Sequence, residues 1–273
     1  MTRDSDPTTP VAHPRAATPG PRDALGDPVC VLTAAQDSFL DTLGRTDPEA
    51  PVPTCGTWHV ADLALHLAGI HWWAAARALG FDAGSEDPTA PREQDRLVEI
   101  YGWASAHLRA TLTERPLDAP AFTLDGPGLA EFWYRRQLHE TLVHLVDLRI
   151  AGGSSPRRAT SDVWAAVWAD TVDEVVTVLH PRQVRLGRAA APSVAVELHA
   201  TDVHGPSAAI VLAPPVASWR IGPPDAAPDV RAAGPAWALA MLVWGRLSPD
   251  DDALTVHGDP AALQAVLGST LVP

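Results

Sequence analysis

Leu129-Ala-Glu-Phe-Trp-Tyr-Arg-Arg-Gln-Leu-His-Glu-Thr-Leu-Val-His-Leu-Val-Asp-Leu-Arg-Ile150 is the stretch on which the fold turns. At 3.6 residues per turn, Leu129, Trp133, Arg136, Glu140, Val143, His144 and Asp147 fall within about 60° of one line along a helix. Leu138, Leu142 and Leu145 hold the opposite face. With apolar residues on both sides, the helix cannot simply turn its charges to water, so it belongs inside a bundle. A buried stripe carrying Arg136, Glu140, His144 and Asp147 demands partners, because an unpaired buried ion is costly.

Working outward, three more helical patterns precede this one, at Val29–Leu43, Trp58–Leu79 and Arg92–Leu112. Thr57 is the expected N-cap of the second, and Gly80 and Gly152 stand where helices end. Residues 1–28, rich in Pro, Asp, Arg and Thr, have too little apolar surface to offset ordering and read as a disordered tail. The Gly-Gly-Ser-Ser-Pro run after Ala151 stops the helix and marks a domain boundary, giving a bundle over 29–155 and a second domain over 156–273.

In the second domain a helix is expected over Asp162–Leu179, after which the period changes to two. Val194, Val196 and Leu198 alternate with Ala195, Glu197 and His199, the pattern of a half-buried strand; Ala208–Leu212, Ser218–Ile221 and Leu254–His257 are shorter candidates. Two more helices open at Pro235 and at Asp259-Pro260, with Pro expected at the first helical position. The fold class is therefore α plus α/β: a four-helix bundle followed by a small α/β domain.

Composition narrows the function. The 273 residues carry a formal charge of −13, which would repel phosphate backbones and anionic lipid surfaces, and no arginine stripe offsets it. Neither nucleic acid nor a membrane is an expected partner. There is no signal-peptide core and no run of membrane-spanning length, so a cytoplasmic location is expected. Cys30 and Cys55 follow no disulfide or CxxC pattern and read as small packing residues. All 20 basic residues are Arg, and Lys and Asn are absent, a bias expected of a very G+C-rich genome such as an actinobacterial one.

Glu140 and His144, four residues apart, lie side by side on the helix and can chelate one cation. A third ligand should come from a facing helix. In the second helix His66 shares a stripe with Asp62, Leu63, Ile70 and Trp73; His71 lies about 140° away on the wheel, and His59 is about 10 Å from His66 along the axis. The ligand set is thus His66, Glu140 and His144, three protein ligands with a position left for water or substrate. Zn²⁺ suits two imidazoles and a carboxylate, although Fe²⁺ and other divalent ions have the same donors. Arg136 and Asp147 are the residues to orient the carboxylate and an imidazole N–H. His139, His180, His199, His204 and His257 read as surface or strand positions, and the Trp residues as mostly core.

These residues carry a resemblance. Trp58-x-x-x-Asp62-x-x-x-His66-Leu-Ala68 together with Arg136-x-x-x-Glu140-x-x-x-His144-x-x-Asp147 resembles the mycothiol-dependent maleylpyruvate isomerase family, whose N-terminal half is a DinB-like four-helix bundle. Leu242-Val-Trp-Gly-Arg246 and Gly258-Asp259 look like that family's sterol-carrier-like C-terminal domain. The resemblance implies a divalent metal on His66, Glu140 and His144, mycothiol as thiol cosubstrate, and Arg246 as an arginine serving the site. It further implies a small electrophilic substrate, isomerised as a cis-enone acid or captured by S-transfer. The alternative is a non-enzymatic protein, a metal-stabilised bundle or an apolar-ligand carrier.

Overall fold

A computed structural model of the chain describes residues 28–84, 89–203 and 216–273. Helices α1 (Pro28–Leu43), α2 (Val60–Ala78), α3 (Gln94–Glu114) and α4 (Glu131–Ala151) build the bundle, with α2 against α3 and α4, and α1 against α3 and α4. One apolar cluster joins Phe39, Leu63, Leu67, Leu97 and Tyr101 to Leu145 and Leu148 of α4; another joins Leu32, Leu108 and Leu112 to Trp133.

The helix ends differ from the sequence pattern for local reasons. The N-cap of α2 is His59 and not Thr57, because Pro51 and His59 form a bridge and the His59 backbone N–H donates to Asp62 Oδ2 at 2.8 Å. Gly80 follows α2 with φ +92°, whereas at the end of α4 Gly152 is the C-cap and Gly153 takes the positive φ of 88°. Helix α4 begins at Glu131 because Leu129 is held in an antiparallel hairpin of β1 (Pro120–Thr123) and β2 (Gly126–Leu129). The hairpin lies over the helix start, where Trp133 Nε1 donates to the Phe122 carbonyl at 2.7 Å.

After the short α5 (Pro156–Ala159), α6 (Ala165–Glu174) continues through a π-helical turn, Val175–Leu179, into α7 (His180–Arg185). The rod starts later than Asp162 because Asp162 takes both prongs of the Arg149 guanidinium and Trp164 is the N-cap. Four strands follow as a mixed sheet in the order β4 (Ser218–Ile221), β3 (Val196–Ala200), β5 (Val230–Gly234) and β6 (Thr255–Gly258); only β3 and β5 pair in parallel. Strand β5 is not signalled in the sequence, because in Val-Arg-Ala-Ala-Gly only Val230 is of the branched or aromatic kind that marks strands. The expected strand Ala208–Leu212 lies outside the described residues. Helix α8 (Ala236–Val243) has Pro235 as N-cap and not as its first turn, while α9 (Pro260–Leu267) starts as expected, with Asp259 accepting from the Ala261 N–H at 2.9 Å. No described helix is long and apolar enough to cross a membrane.

The apolar core does not stop at residue 155. Leu138, Leu142, Val143 and Val146 of α4 share a cluster with Val167, Trp168 and Val172 of α6, with Leu239 and Leu242 of α8, and with Leu198 and Trp219 of the sheet. The Trp residues divide more evenly than their spacing suggests: Trp133, Trp168, Trp219 and Trp244 are buried, but Trp72, Trp103 and Trp164 are exposed. Trp72 and Trp103 stack on each other, ring centres 5.2 Å apart, on the outside of α2 and α3.

A core continuous across both halves should make denaturation one cooperative transition. Trp168, 1% exposed within that core, is the probe: Trp168→Ala is expected to lower the unfolding free energy by about 3–5 kcal/mol in a urea titration. Two separate transitions in the wild type would contradict a shared core.

Candidate metal centre

Helices α2 and α4 bring His66, Glu140 and His144 together, with their ligand atoms all within 4.8 Å of one another. Glu140 Oε1 stands 3.7 Å from His66 Nε2 and 3.4 Å from His144 Nε2, and the two imidazole rings meet edge to face at 5.2 Å. Tetrahedral zinc with bonds of about 2.0–2.1 Å sets neighbouring ligand atoms roughly 3.3 Å apart, so the spacing suits one ion. Trp58 packs against His66 with ring centres 4.9 Å apart.

The tautomer of His144 sharpens this fit. Its Nδ1 lies 3.0 Å from Asp147 Oδ2, and an ionised carboxylate only accepts, so Nδ1 carries the hydrogen. A neutral His144 then presents the lone pair of Nε2 to Glu140 Oε1. Two facing lone pairs need a cation or a proton between them, and two imidazoles with a carboxylate are a donor set for a divalent ion.

Glu140 and His144 are each held from behind. Arg136 Nη2 donates to Glu140 Oε2, leaving Oε1 for the histidines. Asp147 is fully buried and accepts from Thr54 Oγ1 at 2.6 Å, Cys55 Sγ at 3.4 Å, and the Arg246 fork at 3.2 and 3.0 Å. Burial alone would raise the Asp147 pKa, but the hydrogen bond from His144 and the Arg246 charge drive it far below the usual carboxylate range. Burial likewise opposes a charged His144, yet the hydrogen bonds with Asp147 and Cys55 and the Asp147 charge together outweigh it and raise that pKa. The Arg136 and Arg246 guanidinium carbons stand 5.3 and 6.0 Å from the buried Trp244 ring.

Arg246 reaches α4 from the other half of the chain through a local turn. Helix α8 stops at Trp244, Gly245 adopts φ +71°, and the Arg246 N–H returns to the Met241 carbonyl at 2.7 Å, a glycine-based helix end. The turn aims the guanidinium at Asp147.

Sequence reasoning missed Thr54 and Cys55. Cys55 is not a passive packing residue: Gly56, at φ +66°, lies in the tight loop before α2 that carries it to Asp147, and its thiol lies 3.6 Å from Arg246 Nη2. Cys55, His144 and Asp147 also lie within 4.8 Å of one another, but Asp147 already answers Arg246 there. His139 and His180 are buried rather than superficial; His139 lies between Glu174 and Asp170, and His180 is the first residue of α7. His199 and His257 are exposed strand residues, and His204 lies outside the described residues. His71, off the ligand stripe, is buried with its ring nitrogens 3.2 Å from Gln36 Nε2 and 2.8 Å from Gln137 Oε1.

Residues 31–149 match the family described as the mycothiol maleylpyruvate isomerase N-terminal domain, and residues 166–265 match its C-terminal domain. The chain belongs to the mycothiol-dependent maleylpyruvate isomerase family. No curated protein matches it. Crystal structures of the mycothiol-dependent maleylpyruvate isomerase and of a histidine-to-alanine mutant of it superpose with TM-scores of 0.57, covering 84% of this chain and 91% of theirs. At 14% and 12% identity, that likeness is one of fold.

His71 gives the site's surroundings a pH signature. Burial pushes its pKa from 6.5 down to about 4. The unfolded chain therefore takes up a proton near pH 6.5 that the folded chain refuses, so the contribution is present above 6.5 and lost as pH falls toward 4, about 3 kcal/mol in all. Unfolding titrations of wild type and His71→Asn should show the stability difference between them shrinking by most of that amount between pH 6.5 and 4; a difference independent of pH would contradict a neutral buried His71.

Proposed function

We propose that the chain is a metal- and mycothiol-dependent isomerase of small cis-enone acids. The observation that carries this reading is the convergence of His66 Nε2 and His144 Nε2 on one oxygen of the buried Glu140, at 3.7 and 3.4 Å, with Arg136 and Asp147 fixing Glu140 and His144. A divalent ion held by the triad would keep a bound thiol deprotonated at neutral pH.

The chain's own residues do the rest. Arg136 fixes the Glu140 carboxylate, Asp147 fixes the His144 ring, and Arg246 holds Asp147. Because Arg246 comes from the C-terminal half, the site is complete only when both halves are docked. Arg136 is answered by Glu140 and Glu174, and Arg246 by Asp147, so the positive charge that suits an acid substrate would come from the bound ion. Addition of a thiolate to the double bond of a cis-enone acid leaves a single bond that can rotate. Loss of the same thiol then returns the trans isomer and regenerates the thiolate. If the electrophile instead bears a leaving group, the same site would yield an S-conjugate.

Metal-loaded protein incubated with mycothiol and maleylpyruvate-type acids, read by mass spectrometry and ultraviolet absorbance, is expected to give the trans isomer with no net thiol consumption. His66→Ala and Glu140→Ala should each lower turnover about a hundred-fold or more, beyond what loss of an outer partner of a metal ligand costs. Accumulating S-conjugate would reassign the chain to thiol transfer, and no turnover with any thiol would overturn the enzymatic reading.

A further inference from the structure

Behind Glu140 lies a second layer of buried charge that joins α4 to α6. Arg136 bridges two carboxylates: Nη2 donates to Glu140 and Nη1 donates to Glu174 Oε2 at 2.6 Å. The same Glu174 oxygen stands 3.0 Å from His139 Nδ1, and His139 Nε2 stands 3.0 Å from Asp170 Oδ2. Asp170 in turn accepts from the Arg135 fork at 2.8 to 3.1 Å. Glu174 is 1% exposed and is the last residue of α6 before the π-helical turn. Such turns are rare and concentrate at functional sites.

We propose that Glu174 is a positioning residue for the metal centre, locking Arg136 so that Glu140 keeps Oε1 turned to His66 and His144. The proposal rests on the metal reading above. Its physical basis is twofold. A guanidinium anchored at both ends cannot swing, which fixes the carboxylate it holds. Glu174 also offsets the Arg136 charge; without it, Arg136 would pull harder on Glu140 and add uncompensated positive charge next to a cation site. The rod after the bundle would thereby set how tightly the bundle binds its metal.

The test compares full-length wild type, Glu174→Gln, Glu174→Asp, Arg136→Lys and Asp173→Asn by competitive Zn²⁺ titration and by the visible absorption of Co²⁺-loaded protein, with circular dichroism checking the fold. Glu174→Gln is expected to lose roughly ten- to hundred-fold in metal affinity and to alter the Co²⁺ spectrum. Arg136→Lys, which keeps the charge but not the fork, should do the same, and Glu174→Asp, which keeps the charge but withdraws the anchor from Arg136, decides the matter if Glu174→Gln does not fold. Asp173→Asn loosens the Arg135 contact between the same two helices without touching Arg136, His139 or Glu174 and should leave both readouts unchanged. Wild-type affinity in Glu174→Gln, or an equal loss in Asp173→Asn, would overturn the proposal while leaving the metal reading intact. A wild type that binds neither ion would overturn both.

Discussion

Helix α4 buries Arg136, His139, Glu140, His144 and Asp147 within three turns, and each of those groups must be answered by a partner at hydrogen-bond distance. The answers come from all sides: His66 from α2, Thr54 and Cys55 from the loop before it, Glu174 and Asp170 from α6, and Arg246 from the turn after α8. Removing one partner of a buried charge costs far more than the pair contributes, so the arrangement specifies one docking of the elements around α4. The apolar cluster that α4 shares with α6, α8 and the sheet holds that docking in place.

The same constraint explains what the sequence disclosed. A stripe of ionisable groups between two apolar faces is visible as a pattern, and it led directly to His66, Glu140 and His144, which the fold brings together. The contacts of Arg136 with Glu140 and of Asp147 with His144 were legible because these residues stand four before Glu140 and three after His144, on the same helix. Partners contributed across long sequence separations were not. Nothing in the spacing of Cys55, Glu174 or Asp170 distinguishes a residue answering a buried charge from one facing water; His139 was assigned to the surface because its partners lie 31 and 35 residues away on another helix.

Secondary structure follows the same division. Helices with strong period and clear end signals were legible to within a few residues. The hairpin β1–β2 and strand β5 were not, because Gly, Pro and Ala dominate them and their pairing is set by the neighbours they meet. The cap of α2 moved from Thr57 to His59 because a tertiary bridge to Pro51 and the Asp62 carboxylate outweigh the intrinsic preference for Thr.

The proposed site of His66, Glu140 and His144 should hold one cation in one place. An anomalous difference map from a crystal of the zinc-loaded protein, collected at the zinc edge, tests this most directly. The account predicts a single peak per chain, bonded to His66 Nε2, Glu140 Oε1 and His144 Nε2 at about 2.0–2.2 Å. A peak on Cys55 and Asp147, or no peak between the two helices, would contradict it.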